Sequence, residues 1–167
     1  MRRLALMLLG LTVLICAPVT AKDGEARNKA VARSFFEDVL DTGKLEDYAK
    51  SHAPDFVAHG SDHLASLEED MAAAREQRKA LPDMRVKVNH IVAEGDLVSV
   101  SWTASGTNTA AGAGMPATGK SVTVNGMTLF RFERGLIQEE WSVFDQYSIL
   151  KQLGLLAPPP TQSTDKG

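Results

Sequence analysis

The sequence predicts an α+β fold in which N-terminal helices pack on one face of a curved antiparallel sheet. Three observations carry this. Apolar residues recur at helical spacing through the first half of the chain. Beyond Pro82 they alternate with polar ones. The triplets Glu94-Gly95-Asp96 and Glu133-Arg134-Gly135 then cut the alternating part into hairpins. Helices followed by a meander is the order of a domain whose helices cover one sheet face.

Residues 1–21 precede that pattern. Arg2 and Arg3 lead a short apolar run from Leu4 to Ile15, and Val19 and Ala21 stand at the −3 and −1 places of a small-residue cleavage site. This is the form of a secretory signal peptide, and the run is too short to span a bilayer. The expectation is Sec-type export with cleavage after Ala21, giving a periplasmic or secreted protein with no membrane span. The lone Cys16 leaves with the signal, so the mature chain forms no disulfide and depends on its core. The balance of 18 basic to 21 acidic residues becomes more negative without the two arginines. That argues against a nucleic-acid or anionic-membrane surface.

The domain is expected over residues 22–156. From Lys22 the chain reads helical, with Val31, Phe35 and Val39 on one face beside Phe36 and Leu40, and Gly43 as the stop. A short second helix spans Leu45 to Lys50. The stretch "PDFVAHGSDH" reads as loop. Ser66 and Glu69 fit a capping box opening a third helix, with acids in its first turn, bases in its last, and Pro82 at its end.

Then the period changes to two. Val86, Val88, His90 and Val92 share one strand face, and Val98, Val100 and Trp102 share one face of the next strand, Leu97–Thr107. A third strand covers Lys120–Glu133 and a fourth Leu136–Tyr147. The tail, residues 157–167, lacks apolar periodicity and is expected to be disordered. No internal repeat is found.

Gly114 to Ser121 satisfies the pattern of a phosphate-binding loop. That loop must open a helix, however, and the alternating residues that follow read as strand. A long Gly- and Ala-rich hairpin connection, Thr107 to Gly119, serving as a mobile flap over a cavity mouth, is the reading kept. His59 and His63 form H-x-x-x-H, but Gly60 and Ser61 speak for a loop and no third ligand cluster is evident, so no metal is expected. His59, after Phe56-Val57-Ala58, reads as a partly buried group facing a pocket, and His90 as a core residue. No G-x-S-x-G elbow occurs. Acid–base work by carboxylates and imidazoles is what remains.

Asp145 stands out, an acid among Trp141, Val143, Phe144 and Tyr147. Strand parity puts it on one face with Glu139, Trp141, Val143 and Tyr147. If that face lines an apolar cavity, desolvation raises the carboxyl's pKa and makes it a proton acceptor. The alternative is a strand-end Asp bonded to backbone amides or to Arg131.

The segments "DFVAHG", "LPDMRVKVNHIVAEGDLVSVSWTASGTNT" and "GMPATGKSVTVNGMTLFRFERGLIQEEWSVFDQYSILKQLGLL" closely resemble the SnoaL-like polyketide cyclase (ester cyclase) family of the nuclear-transport-factor-2-like superfamily, over residues 28–156. The resemblance implies an NTF2-like (cystatin-like) cone, a curved sheet wrapped against helices around one cavity, and a homo-oligomer, commonly a homodimer. It implies an intramolecular aldol ring closure without metal or cofactor. Asp145, ahead of Gln152-Leu153-Gly154, matches the family's catalytic acid/base, and His59 its "HG" histidine. Trp141, Trp102, Asn108, Arg131 and Tyr147 are the expected substrate contacts. Asn108 and Glu140 stand where the family usually has histidines.

The function expected is therefore an exported ester cyclase-type enzyme acting on a small hydrophobic carbonyl or polyketide-like compound, with lyase or isomerase chemistry as near variants. A non-catalytic module holding such a molecule is the alternative, and an oligomerisation domain using its exposed sheet face a third reading.

Overall fold

The computed structural model describes residues 21–60 and 63–156. The predicted signal sequence up to Thr20, the tail and Asp62 lie outside the described residues. Among those described, no helix is long and apolar enough to cross a membrane.

The first helix, α1 (Ala21–Ser34), runs directly into a π-helical turn, Phe35–Leu40. A wide turn of this kind is uncommon and tends to occur at functional sites. Here Phe35, Phe36 and Val39 are all buried by it. The second predicted helix is a 3₁₀ segment, Leu45–Ser51. The strands β1 (His52–His59) and β2 (Leu64–Ser66) follow, then α2 (Leu67–Ala80). The predicted capping box opens α2: Glu69 N donates to Ser66 Oγ at 3.4 Å, and Ser66 N donates to Glu69 Oε2 at 2.8 Å. The meander is β3 (Arg85–Glu94), β4 (Leu97–Thr107), β5 (Ser121–Glu133) and β6 (Leu136–Phe144), closed by α3 (Gln146–Leu153).

The six strands form one sheet in the order β2-β1-β6-β5-β4-β3. All pairs are antiparallel except β1 with β6, which run parallel. The stretch read as loop is thus largely strand. Its register against β6 shifts between His52 and Val57, around Pro54, which has no N–H to give a ladder. A strand whose partner lies some 80 residues away leaves little local signal.

A second correction concerns β3. Its register against β4 shifts between Val88 and His90, which is a bulge, and every later side chain changes face. His90 is therefore exposed rather than in the core, and Val92 is 63% exposed. Ile91 and Ala93 pack inward in their place.

Parity along the sheet then decides what faces the helices. The inner face carries Val98, Val100 and Trp102 of β4, Phe130 and Thr128 of β5, and Ile137, Glu140 and Ser142 of β6. Phe130, fully buried, meets the rings of Phe35, Phe36 and Phe132 at centroid separations of 6.1–6.3 Å. The outer face carries Arg131, Leu129 and Met127 opposite Glu139, Trp141 and Val143.

Candidate active site

Between the π-helical turn, α2 and the inner sheet face lies a cavity of about 220 Å³. Its walls are mostly apolar, with Phe35, Phe36, Met84, Val86 and Trp102 among them. Two carboxyl groups enter it, Glu140 from β6 and Asp70 from the first turn of α2, and the described lining holds no lysine, arginine or histidine.

Each acid has a defined partner. Tyr48 Oη donates to Asp70 Oδ2 at 2.5 Å, and Ser142 Oγ donates to Glu140 Oε1 at 2.6 Å. Behind Ser142 the bonds continue. Trp102 Nε1 donates to Thr128 Oγ1 at 3.0 Å, and Thr128 Oγ1 lies 2.7 Å from Ser142 Oγ. A hydroxyl has one proton to give. Since Ser142 spends its proton on Glu140, Thr128 supplies the one between the hydroxyls. The result is a directed chain, Trp102 to Thr128 to Ser142 to Glu140, whose members polarise one another.

Burial lifts the Glu140 carboxyl to about 7, and the Asp70 charge pushes the same way against the bond from Ser142. Asp70 is also raised, by burial, with the Tyr48 bond opposing. Burial first, then the charges of Glu140 and Asp70, hold the Tyr48 phenol well above its usual value. Two acids in one apolar space cannot both ionise cheaply, and Glu140 therefore holds its proton to near neutrality. A carboxyl of this kind both accepts and returns a proton under ordinary conditions.

The residues expected from sequence are distributed differently. Trp102 forms the cavity wall. Asp145 does not lie in a strand: β6 ends at Phe144, and the exposed Asp145 caps α3, accepting from Ser148 N at 2.8 Å. The backbone-amide alternative describes its bonding. The chain's turn into α3 takes it off the parity of Trp141 and Val143, and puts Tyr147 in a helix, 67% exposed.

His59, Arg131 and Trp141 do come together, but on the outer face. His59 Nε2 lies 2.7 Å from Glu139 Oε2, and its ring stacks on Trp141 with centroids 4.3 Å apart and planes 11° off parallel. Arg131 Nε donates to Glu139 Oε1 at 2.9 Å, and Nη2 makes a second, short bond to the same oxygen. The Arg131 and His59 bonds hold the Glu139 carboxyl below its usual range.

Asn108 is fully buried at the root of the connection before β5. Its Oδ1 accepts from Thr118 N and Oγ1 at 2.8 and 2.9 Å, and its Nδ2 donates to Ala110 O at 3.0 Å. The connection read as a mobile flap is therefore pinned from within, and the phosphate-loop pattern in it leads into β5, a strand. Among the described residues no three His, Cys, Asp or Glu side chains converge as a metal ion needs.

Asp70 and Tyr48 escaped the sequence reading, and Glu140 entered it only as standing where the family usually has a histidine. Glu140 has the parity opposite to Trp141, and its face is the one that meets the helices. Asp70 was read as a complement to the helix dipole. Yet Leu67, Asp70, Met71 and Ala74 share a helical face, and that spacing marks Asp70 as an acid on an apolar stripe.

The sequence profile of SnoaL-like polyketide cyclases matches residues 30–153. A search of curated protein sequences finds no match. Among solved structures the chain is similar to AclR of Streptomyces galilaeus, a candidate hydroxylase. That pair shows 27% identity over 80% of this chain and 99% of that one, with a TM-score of 0.73. IdmH of Streptomyces antibioticus, a candidate polyketide cyclase, shows 27% identity over 76% and 98%, with a TM-score of 0.66. A candidate SnoaL-like polyketide cyclase from Jannaschia is 23% identical over 81% and 95%, with a TM-score of 0.72, and supports the fold alone. The six-stranded open sheet, the helices on its inner face and the profile match agree: this chain belongs to the SnoaL-like polyketide cyclase family, with its NTF2-like α+β cone.

Proposed function

We propose that the protein is an exported, cofactor-free acid/base enzyme of ester cyclase type, acting on a small hydrophobic carbonyl or polyketide-like compound in the inner cavity. The observation that carries the reading is Glu140, a cavity carboxyl lifted to about 7 beside Asp70. Ionised Glu140 takes a proton from a carbon flanked by carbonyls. The carbanion, delocalised as an enolate, attacks a second carbonyl of the same molecule. One C–C bond forms, the carbonyl π bond becomes an alkoxide, and the alkoxide takes the proton back from Glu140. The product is an isomer of the substrate. Phe35, Phe36 and Trp102 hold the molecule folded near the attack geometry.

The role that the resemblance gives to Asp145 and His59 is the competing assignment within the same reaction. A triketone probe decides between them. Glu140→Gln is expected to lower base-catalysed deuterium exchange at C3 and ring closure of nonane-2,4,8-trione by about 100-fold or more, while Asp145→Asn retains most of it. The reverse order of effects returns the role to Asp145.

One observation favours the non-catalytic alternative: the residue expected as acid/base is engaged in capping a helix. A binding module would show saturable probe binding with no exchange above background in the unmodified chain. For the assembly we propose a homo-oligomer through the outer sheet face, where Met127 and Val143 are 53% and 68% exposed. Sedimentation that returns a monomer at micromolar concentration counts against it.

A further inference from the structure

The inner cavity is small. Its roughly 220 Å³ falls below the ~300–1,000 Å³ of most small-molecule sites. A second chamber of about 490 Å³ adjoins it, between α2, the β1–β2 pair and the end of β6. The two share Asp70, Ala73, Glu140, Ser142 and Phe144 as common walls, so the reactive carboxyl faces both. On β1 and β2 the half-buried Ala58 and Ala65 line the outer chamber, and the exposed His63, Glu69 and Gln146 also border it.

Phe144 sits at the junction. It is the last residue of β6, 46% exposed, its ring 6.4 Å from that of Trp102. A half-exposed ring at a strand end is held by few neighbours, so it can turn between chambers. Trp102, by contrast, is fixed by its bond to Thr128 and lies flat over Gly126, where a Cβ would overlap the indole.

We propose that the two chambers form one elongated site, with Phe144 as the residue that sets ligand length. The ligand class is a two-part molecule: a compact carbonyl head in the inner chamber at Glu140, and an uncharged aliphatic tail in the outer chamber against Ala58 and Ala65. The inference rests on the inner cavity being the ligand site, as proposed above, and not on turnover there.

Two ketones test it, acetophenone (head alone) and octanophenone (head plus alkyl tail). They are titrated against the full chain carrying Trp141→Phe, which leaves Trp102 as the sole indole of the two in the sequence. Quenching of Trp102 then reports the inner chamber. Octanophenone is expected to bind at least about tenfold more tightly, since each buried methylene adds apolar contact. Ala65→Phe, which fills the outer chamber, is expected to cut that ratio below about threefold. Should Ala65→Phe not fold, Gln146→Glu, at an exposed position that lines the outer chamber and not the inner one, places a charge beside the tail and should cut the ratio likewise. Phe144→Ala should shift the preference to still longer chains. Equal affinities, a ratio untouched by folded Ala65→Phe or Gln146→Glu, or no quenching by either ketone overturns the proposal. Length-dependent binding without any proton exchange leaves the elongated site standing and defeats only the catalytic reading.

Discussion

Tyr48 and Asp70, from the 3₁₀ segment and the first turn of α2, are joined by a 2.5 Å hydrogen bond that favours the charged form of an acid inside an apolar cavity. Burial alone drives Asp70 toward its neutral form, and the phenol is what opposes it. Whichever of Asp70 and Glu140 carries the charge, the other feels it. The phenol therefore biases the proton toward Glu140.

Tyr48→Phe removes that bias. The ring still packs edge-on against Phe35 at 4.8 Å, so the loss is confined to the hydroxyl. Leaving a buried acid without its donor costs about 1–3 kcal/mol, read by urea denaturation at pH 7. The proton should also move partly onto Asp70, and the carboxyl 13C shifts of labelled Asp and Glu would report the redistribution. An unchanged titration of both acids would falsify the coupling.

Stability against pH should follow two opposed groups. The folded Glu140 pKa, about 7, lies above its unfolded 4.5. The folded state thus holds a proton that the unfolded state releases, and stability falls as pH rises from about 4.5 to about 7. His52 is the reverse. It is 3% exposed, its Nε2 has no partner, and burial lowers it from 6.5 to about 4 against the pull of the Tyr48 carbonyl. The unfolded state binds the proton first, so stability falls as pH drops from about 6.5 to about 4. Each effect is worth about 3 kcal/mol over its full window. Between about 4.5 and 6.5 they cancel, and the unmodified chain should be nearly flat. Glu140→Gln should leave a rising slope there, and His52→Gln a falling one, by denaturant midpoints at half-unit steps. Parallel profiles for the three proteins would refute the assignment of both groups.

Much of the fold was legible because its signals are local. The Ser66–Glu69 box, the turn at Glu94-Gly95-Asp96 and the alternation of Val98, Val100 and Trp102 each express themselves within a few residues. What escaped reading depends on distant partners. β1 is a strand because β6 lies beside it. The bulge between Val88 and His90 reverses the outer half of β3 without a mark in the sequence. The inner cavity was hidden for the same kind of reason. Parity grouped Glu139, Trp141 and Val143, but which face meets the helices is a tertiary fact, and the structure gives that face to Glu140 and Ser142. Asp145 looked like an acid in an apolar strand because the strand's end at Phe144 is set by the cap itself.

Gly126 should be irreplaceable while Trp102 is present. A methyl there would overlap the six-membered ring of the indole. Gly126→Ala must push the ring off its bond to Thr128 and break the first link of the chain to Glu140. Overpacking of this sort costs about 1–3 kcal/mol. Trp102→Leu in the same chain should recover most of it, since the clash disappears with the indole. Additive losses in the double variant would rule the explanation out.

The connection from Asn108 to Lys120 should lose much of its order if its buried side-chain peg is removed. Asn108 accepts two bonds from Thr118 and donates to Ala110 O, while its backbone carbonyl takes Gly119 N at 2.8 Å. Asn108→Ala leaves Thr118 N and Ala110 O without their side-chain partners, at a cost of about 2–3 kcal/mol. The loss is local, because the connection packs on α2, where Gly112 lies too close to Glu76 O and Ala80 to carry a Cβ. Hydrogen exchange should rise first at residues 109–119 while β4 and β5 keep their protection. Asn108→Asp separates bonding from shape. It retains the acceptor for Thr118 but turns the donor toward Ala110 O into a second acceptor, so it should fall between Asn108→Ala and the unmodified chain at low pH, where it is protonated, and worsen as it ionises. A loss that did not change with pH would mean that the Ala110 bond contributes nothing.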